Sequence, residues 1–283
     1  MGISGLQGRV GRASGGDHQN VGREAAARSS LESPTKLDRP RVPSREGRWL
    51  LKLYPDACEA GGCFESGASR SSAGSWFEPE PDPDRSADEA ARRARGQVRR
   101  YCAANGLNRL GTLTYAPPFC RDSHAVRDHV GSFFRDLRRR TGRMAYLWVP
   151  ELHTDGERYH VHFAVGRYVG VGFIREAWGR GHVHIKLLGD LPVGSGSLEE
   201  ARLAARYLSK YVGKALDRGP AGLHRYEVAQ GFQPTARRLV GPTLDDVMAQ
   251  AVALMGCEPE IVWDSDDEPA WARCHAVWAS WAR

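Results

Sequence analysis

Tyr159-His160-Val161-His162-Phe163-Ala164-Val165 is the stretch from which the rest of the chain can be placed. Side chains on an extended strand alternate between two faces, so His160, His162 and Ala164 share one and Val161, Phe163 and Val165 the other. The second face is apolar and needs helices packed on it. The first carries two imidazoles about 7 Å apart along the strand, near enough to converge on one cation. Met144 to Val149 is the expected antiparallel partner, joined across the turn Thr154-Asp155-Gly156.

Outward from that hairpin, helices and short strands interleave. Ser86-Ala-Asp-Glu89 is a capping-box pattern that opens a helix ending near Asn105-Gly106. Leu110 to Tyr115 alternates as a strand with Thr112 and Thr114 on one face. Ser123 caps a helix to about Arg140, whose apolar stripe is Val126, Val130, Phe133, Phe134 and Leu137. A short helix over Phe173–Trp178 and a strand over His182–Leu188 follow, and Ser197 starts a helix to about Asp217. Hairpin-like turns and short connections indicate an α+β fold with an antiparallel sheet. Residues 1–45, rich in Gly, Ser and Arg, are expected to be disordered. Residues 46–85 form a weakly structured linker, 86–219 the main domain, and 220–283 a small C-terminal appendage.

His-x-His is a weak signal alone, and His182-Val-His184 repeats it with Lys186 on the same face. A cation there repels a metal, whereas Glu151 lies beside His160 and His162, so the first pair is the metal candidate. Strict alternation puts Glu151 on the face of Leu147 and Val149, the expected core face. Pro150, which interrupts ladder pairing, offers a break in that register. His153 is the alternative third ligand.

Tyr207, Lys210, Tyr211 and Lys214 are spaced i, i+3, i+4, i+7 and share one helical face, beside a stripe of Leu208, Val212 and Ala215. A phenol with an unperturbed pKa near 10 needs activation to act as a nucleophile, and a lysine one turn away supplies positive charge. Only five of the forty basic residues are Lys, and two of them are these.

From Ala90 to Tyr146 thirteen Arg stand against three Asp, whereas Gly241 to Arg283 holds eight acids against two Arg. This asymmetry predicts a basic surface for a polyanion and an acidic appendage that takes no part in it. The six scattered cysteines are expected as free thiols in a reducing compartment. No apolar run is of membrane-spanning length, and a cytoplasmic protein is expected.

Taken in order, Thr112-Leu-Thr-Tyr115, His160-Val-His162 and Tyr207-x-x-Lys-Tyr-x-x-Lys214 resemble the three motifs of the HUH endonucleases, within them the rolling-circle replication initiators of plasmids and single-stranded DNA phages with a two-tyrosine motif. The resemblance spans roughly Ala87 to Asp217. It implies a four- or five-stranded antiparallel sheet backed by helices. It also implies Mg²⁺ or Mn²⁺ held by His160, His162 and Glu151, and attack by Tyr207 or Tyr211, assisted by Lys210 and Lys214, on single-stranded DNA at an origin. The products would be a 5′-phosphotyrosine link and a free 3′-hydroxyl. The implied DNA-binding residues are Thr112 and Thr114, near the site, and the Arg-rich segment 92–143, with Arg135, Arg138 and Arg139, as a phosphate-tracking surface. No Gly-x4-Gly-Lys-Ser/Thr loop is present, so unwinding falls to a host helicase and extension to a host polymerase. The alternatives are a transposase or relaxase of the same superfamily, a non-catalytic nucleic-acid-binding domain, and a cupin-type metalloenzyme. The last lacks a glutamate close after His162.

Overall fold

The computed structural model describes residues 47–67, 83–186, 197–218, 224–271 and 273–282, with only the backbone of 83–85 and 213–218. The N-terminal tail, most of the Ser/Gly/Pro loop and the loop before the tyrosine helix lie outside them. The elements are β1 (Gly47–Tyr54), β2 (Glu59–Ser66), α1 (Pro83–Asn105), β3 (Arg109–Tyr115), α2 (Ser123–Thr141), β4 (Tyr146–Leu152), β5 (Tyr159–Val165) and α3 (Val171–Trp178). They continue with β6 (Gly181–Lys186), α4 (Ser197–Arg218), β7 (Glu227–Val228), β8 (Arg237–Gly241), α5 (Leu244–Met255), β9 (Ile261–Asp264) and β10 (Ala276–Ser280). They form an α+β fold of two antiparallel five-stranded sheets, ordered β6-β3-β5-β4-β7 and β8-β1-β2-β10-β9.

The apolar stripe of α2 does what its spacing predicts. Val126, Val130, Phe133, Phe134 and Leu137 are all buried, against Trp148, Val161, Phe163 and Val165. The helix is capped by Asp122, whose side chain accepts from the His124 amide, and not by Ser123. Likewise α1 starts at Pro83, a residue favoured in the first turn, so Ser86 lies inside the helix instead of capping it. The other face of the sheet is also covered. Leu147, Val149 and Ala164 pack there with Val98 and Cys102 of α1 and Ala204, Leu208 and Val212 of α4. A sheet buried on both faces explains why β4 reads as a continuous apolar run.

The segments read from sequence as a linker (46–85) and an appendage (220–283) supply the second sheet between them. β1 pairs with β2 and β8, and β10 pairs with β2 and β9. Neither segment can satisfy its backbone or bury its apolar face alone, and the pairing partners lie nearly two hundred residues apart, a relation that local periodicity does not carry. α5 covers one face, with Val247 and Ala251 packed among Trp49, Leu51, Leu53, Val277 and Ala279. It is opened by a full capping box between Thr243 and Asp246. All six cysteines are free thiols.

Glu59 of β2 ties this sheet to α1. Its carboxylate, 3% exposed, accepts from Arg99 Nε at 2.6 Å and Nη2 at 2.8 Å and from Arg100 Nη1 at 3.1 Å. This cluster consumes two of the arginines that the sequence offers as a polyanion surface. Glu59→Ala leaves two guanidinium groups without their carboxylate, though both keep some contact with solvent. The expected cost is about 2 kcal/mol, seen as a fall in Tm of about 4–8 °C. An unchanged Tm in thermal denaturation would show that the cluster does not join the two parts.

Candidate metal and tyrosine site

The β4–β5 hairpin sets the geometry of the site. Asp155 accepts from the amides of Glu157 (3.0 Å) and Arg158 (3.2 Å) and pairs with the Arg158 side chain, and Gly156 takes the left-handed φ of 75° that the turn requires. These bonds hold the Asp155 carboxyl well below the usual carboxylate range. The turn fixes a register in which Glu151 stands opposite His160 and Val149 opposite His162.

Glu151 therefore shares the face of the histidines by unbroken alternation. The expected break at Pro150 does not occur: Pro150 pairs in sequence with Val161. It is tolerated because β7 reaches only Leu147 and Trp148, leaving the outer side of β4 uncovered at Pro150 among the described residues. The face of Leu147 and Val149 is a core face, as read from sequence. It is also the histidine face, because α1 and α4 bury its other end.

The donors converge. His160 Nε2 and His162 Nε2 lie 2.6 and 2.7 Å from the same Glu151 Oε2. On the far side of His162, Nδ1 is 3.0 Å from Thr112 Oγ1, which fixes the ring so that Nε2 faces the carboxylate. His162 is buried, and His160 and Glu151 nearly so. Two imidazoles and a carboxylate oxygen within 4.8 Å of one another fit a divalent ion of the Mn²⁺ or Mg²⁺ kind, with room left in its shell for oxygen ligands. His153, the alternative ligand, stands edge-on to His160 with ring centroids 4.5 Å apart and lies outside this group. A second group, Asp264, Asp266 and His275, gathers at the end of β9, where Asp264 also caps the following turn.

α4 brings the tyrosines to the histidines. Its Ala201, Ala204, Ala205, Leu208 and Val212 are buried, which turns the 207/211 side of the helix toward β5. The Tyr211 ring stacks on the His162 imidazole, with centroids 3.8 Å apart and planes at 19°. Its hydroxyl donates to that of Tyr207 at 2.8 Å. Burial first, then the bond to Tyr207 and the nearby charge of Glu151, push the Tyr211 phenol above its ordinary pKa.

Lys210 is exposed on α4, and the Lys214 side chain lies outside the described residues. Among the described residues, Lys186 of β6 brings a cation to the tyrosines, with Nζ 3.9 Å from the centroid of the Tyr207 ring. Sequence reasoning set His182, His184 and Lys186 aside as a competitor for the metal. Their place follows from strand order, which their spacing alone does not carry. β3 lies between β5 and β6, so both His-x-His pairs point to the same face.

The arginines proposed for DNA are not brought to the site. Arg135, Arg138 and Arg139 sit on α2, which packs on the opposite face of the sheet. Arg138 donates twice to the Met144 carbonyl, at 3.2 and 2.8 Å, and lies over the Tyr146 ring, so it braces the end of α2. Arg135 bonds Ser132, and Arg139 pairs with Asp136.

Among the described residues no helix is long and apolar enough to cross a membrane. No curated protein and no solved structure matches the chain. Residues 108–216, under half of the chain but including β3, the metal-ligand hairpin and nearly all of α4, match the family model described as replication-associated protein ORF2/G2P, which supports a replication initiator of the Rep type.

Proposed function

We propose that the chain nicks and rejoins single-stranded DNA at a replication origin, through a tyrosine assisted by a divalent metal. One observation carries this reading: two phenols with hydroxyls 2.8 Å apart stand beside an imidazole, the Tyr211 ring stacked on it, and that imidazole shares Glu151 with a second one. A small-molecule site would have little use for two adjacent nucleophiles. A strand-transfer enzyme uses one to hold a cut end while the other makes the closing cut.

His160, His162 and Glu151 would hold Mg²⁺ or Mn²⁺, which supplies Lewis-acid polarisation of the scissile phosphate when bound. Thr112, at His162 Nδ1, would hold the ring in the orientation that points Nε2 at Glu151 and the metal position. The tyrosine hydroxyl attacks phosphorus in line. The phenol gives up its proton as its O–P bond forms, the bond to the 3′-oxygen breaks, and the departing oxygen keeps the electron pair and takes up a proton in turn. The phosphotyrosine link stores the energy of the broken diester, so rejoining needs no nucleotide cofactor. The free 3′-hydroxyl is a primer for a host polymerase, and a host helicase would open the duplex ahead of it.

The direct test uses labelled single strands carrying hairpins from the chain's own replicon, incubated with Mn²⁺ and, in parallel, with chelator. A covalent protein–DNA adduct that appears with metal and not with chelator is the expected result. No adduct on any strand of that origin would remove the nicking reading and leave a nucleic-acid-binding domain.

A further inference from the structure

Among the described residues, strand β6 is an edge of the site sheet and pairs with β3 alone. Thr112 stands between His162 on one side and His184 on the other, and Thr114 between His160 and His182. The β6 histidines are therefore two strand spacings, about 10 Å, from the metal-ligand pair on the same face. Val183 and Ile185 turn the other way and pack on the core under α2 and α3.

His182, His184 and Lys186 are exposed, and among the described residues no carboxylate pairs with any of them. Lys186 does not wander into solvent but ends over the Tyr207 ring. Alternate residues on a strand advance roughly 6.6–6.8 Å, comparable with the phosphate spacing of an extended single strand. Three nitrogen donors thus form a row at nucleotide-like intervals, and its last member touches a tyrosine of the site. This row, unlike the arginines of α2, faces the side where the strand must lie.

We propose that His182, His184 and Lys186 form a phosphate rail, binding the backbone of single-stranded DNA beside the scissile position, with Lys186 holding the phosphate nearest Tyr207. The proposal rests on the nicking reading for its purpose, but binding can be read without cleavage. The probe is fluorescent oligo(dT), followed by anisotropy over a range of salt concentrations without divalent metal.

The variant H182A/H184A/K186A is expected to bind about 10-fold or more weakly with an unchanged Tm, since all three side chains are on an exposed edge. Lys186→Ala alone should lower the slope of log affinity against log salt by about 0.7, the contribution of one phosphate contact on a single strand, and Lys186→Arg should restore it. Absence of oligo(dT) binding by the wild-type chain, or unchanged affinity and slope in the triple variant, overturns the rail. Wild-type binding that depends on these residues, without an adduct on any origin strand, supports the rail and defeats nicking. Adduct formation with undiminished binding by the triple variant does the reverse.

Discussion

Replacing Tyr207 and Tyr211 together by phenylalanine is expected to lower covalent adduct formation by roughly 10⁴-fold or more, the scale on which removing an enzyme's nucleophile acts. Phenylalanine keeps both rings, and with them the stack on His162 and the Lys186 contact over Tyr207. Only the hydroxyls go, and their mutual hydrogen bond is worth about 1 kcal/mol of stability. A fall of this size with a nearly unchanged Tm therefore reports chemistry and not unfolding. The single variants should fall much less, because each leaves one hydroxyl 2.8 Å from where the other stood. Neighbours that can substitute for one another give strongly non-additive changes. The measurement is the gel-shifted fraction of labelled single strand after denaturation. A double variant that forms as much adduct as the wild type would mean that another side chain attacks.

The site was legible from sequence to the extent that alternation and helical spacing specify which residues share a face. The faces of β5, the stripe of α2 and the pairing of Tyr207 with Tyr211 all follow from periods of 2 and 3.6. Glu151 was legible as a neighbour but awkward in parity, because one face of a sheet was taken to be either core or site. In β4 one face is both: Leu147 and Val149 lie under the helices, and Glu151 lies at the open end.

The place of Lys186 was hidden for a different reason. His182-Val-His184-Ile-Lys186 has the right period, but its place depends on strand order, and strand order is set by long-range pairing that no local pattern encodes. The same holds for the second sheet, where β1 and β2 read as a linker until β8 and β10 are placed beside them. Arginine density does not say which guanidinium groups are left for a polyanion, for a chemical reason. Guanidinium groups also bind carboxylates, carbonyls and aromatic faces, and Arg99, Arg100 and Arg138 are used in this way.

The second large effect is expected at the metal ligands and can be read without DNA. If His160, His162 and Glu151 bind a divalent ion in the folded chain only, Mn²⁺ at 100 times its Kd adds about 2.7 kcal/mol of stability. For a folded part of this size that raises Tm by about 5–10 °C. The variant H160A/H162A loses both imidazoles and should lose the Mn²⁺-dependent rise entirely, while adduct formation falls by roughly 10²-fold or more. His162 is buried, so its removal also lowers the metal-free Tm. The comparison that decides is therefore the difference with and without Mn²⁺ within each variant. Thr112→Val separates ligation from packing. It keeps the side-chain shape and loses the hydroxyl that orients His162, so the Mn²⁺-dependent rise should shrink without vanishing. A rise as large in H160A/H162A as in the wild type would place the ion elsewhere, and the Asp264, Asp266 and His275 group would then be the next set of residues to replace.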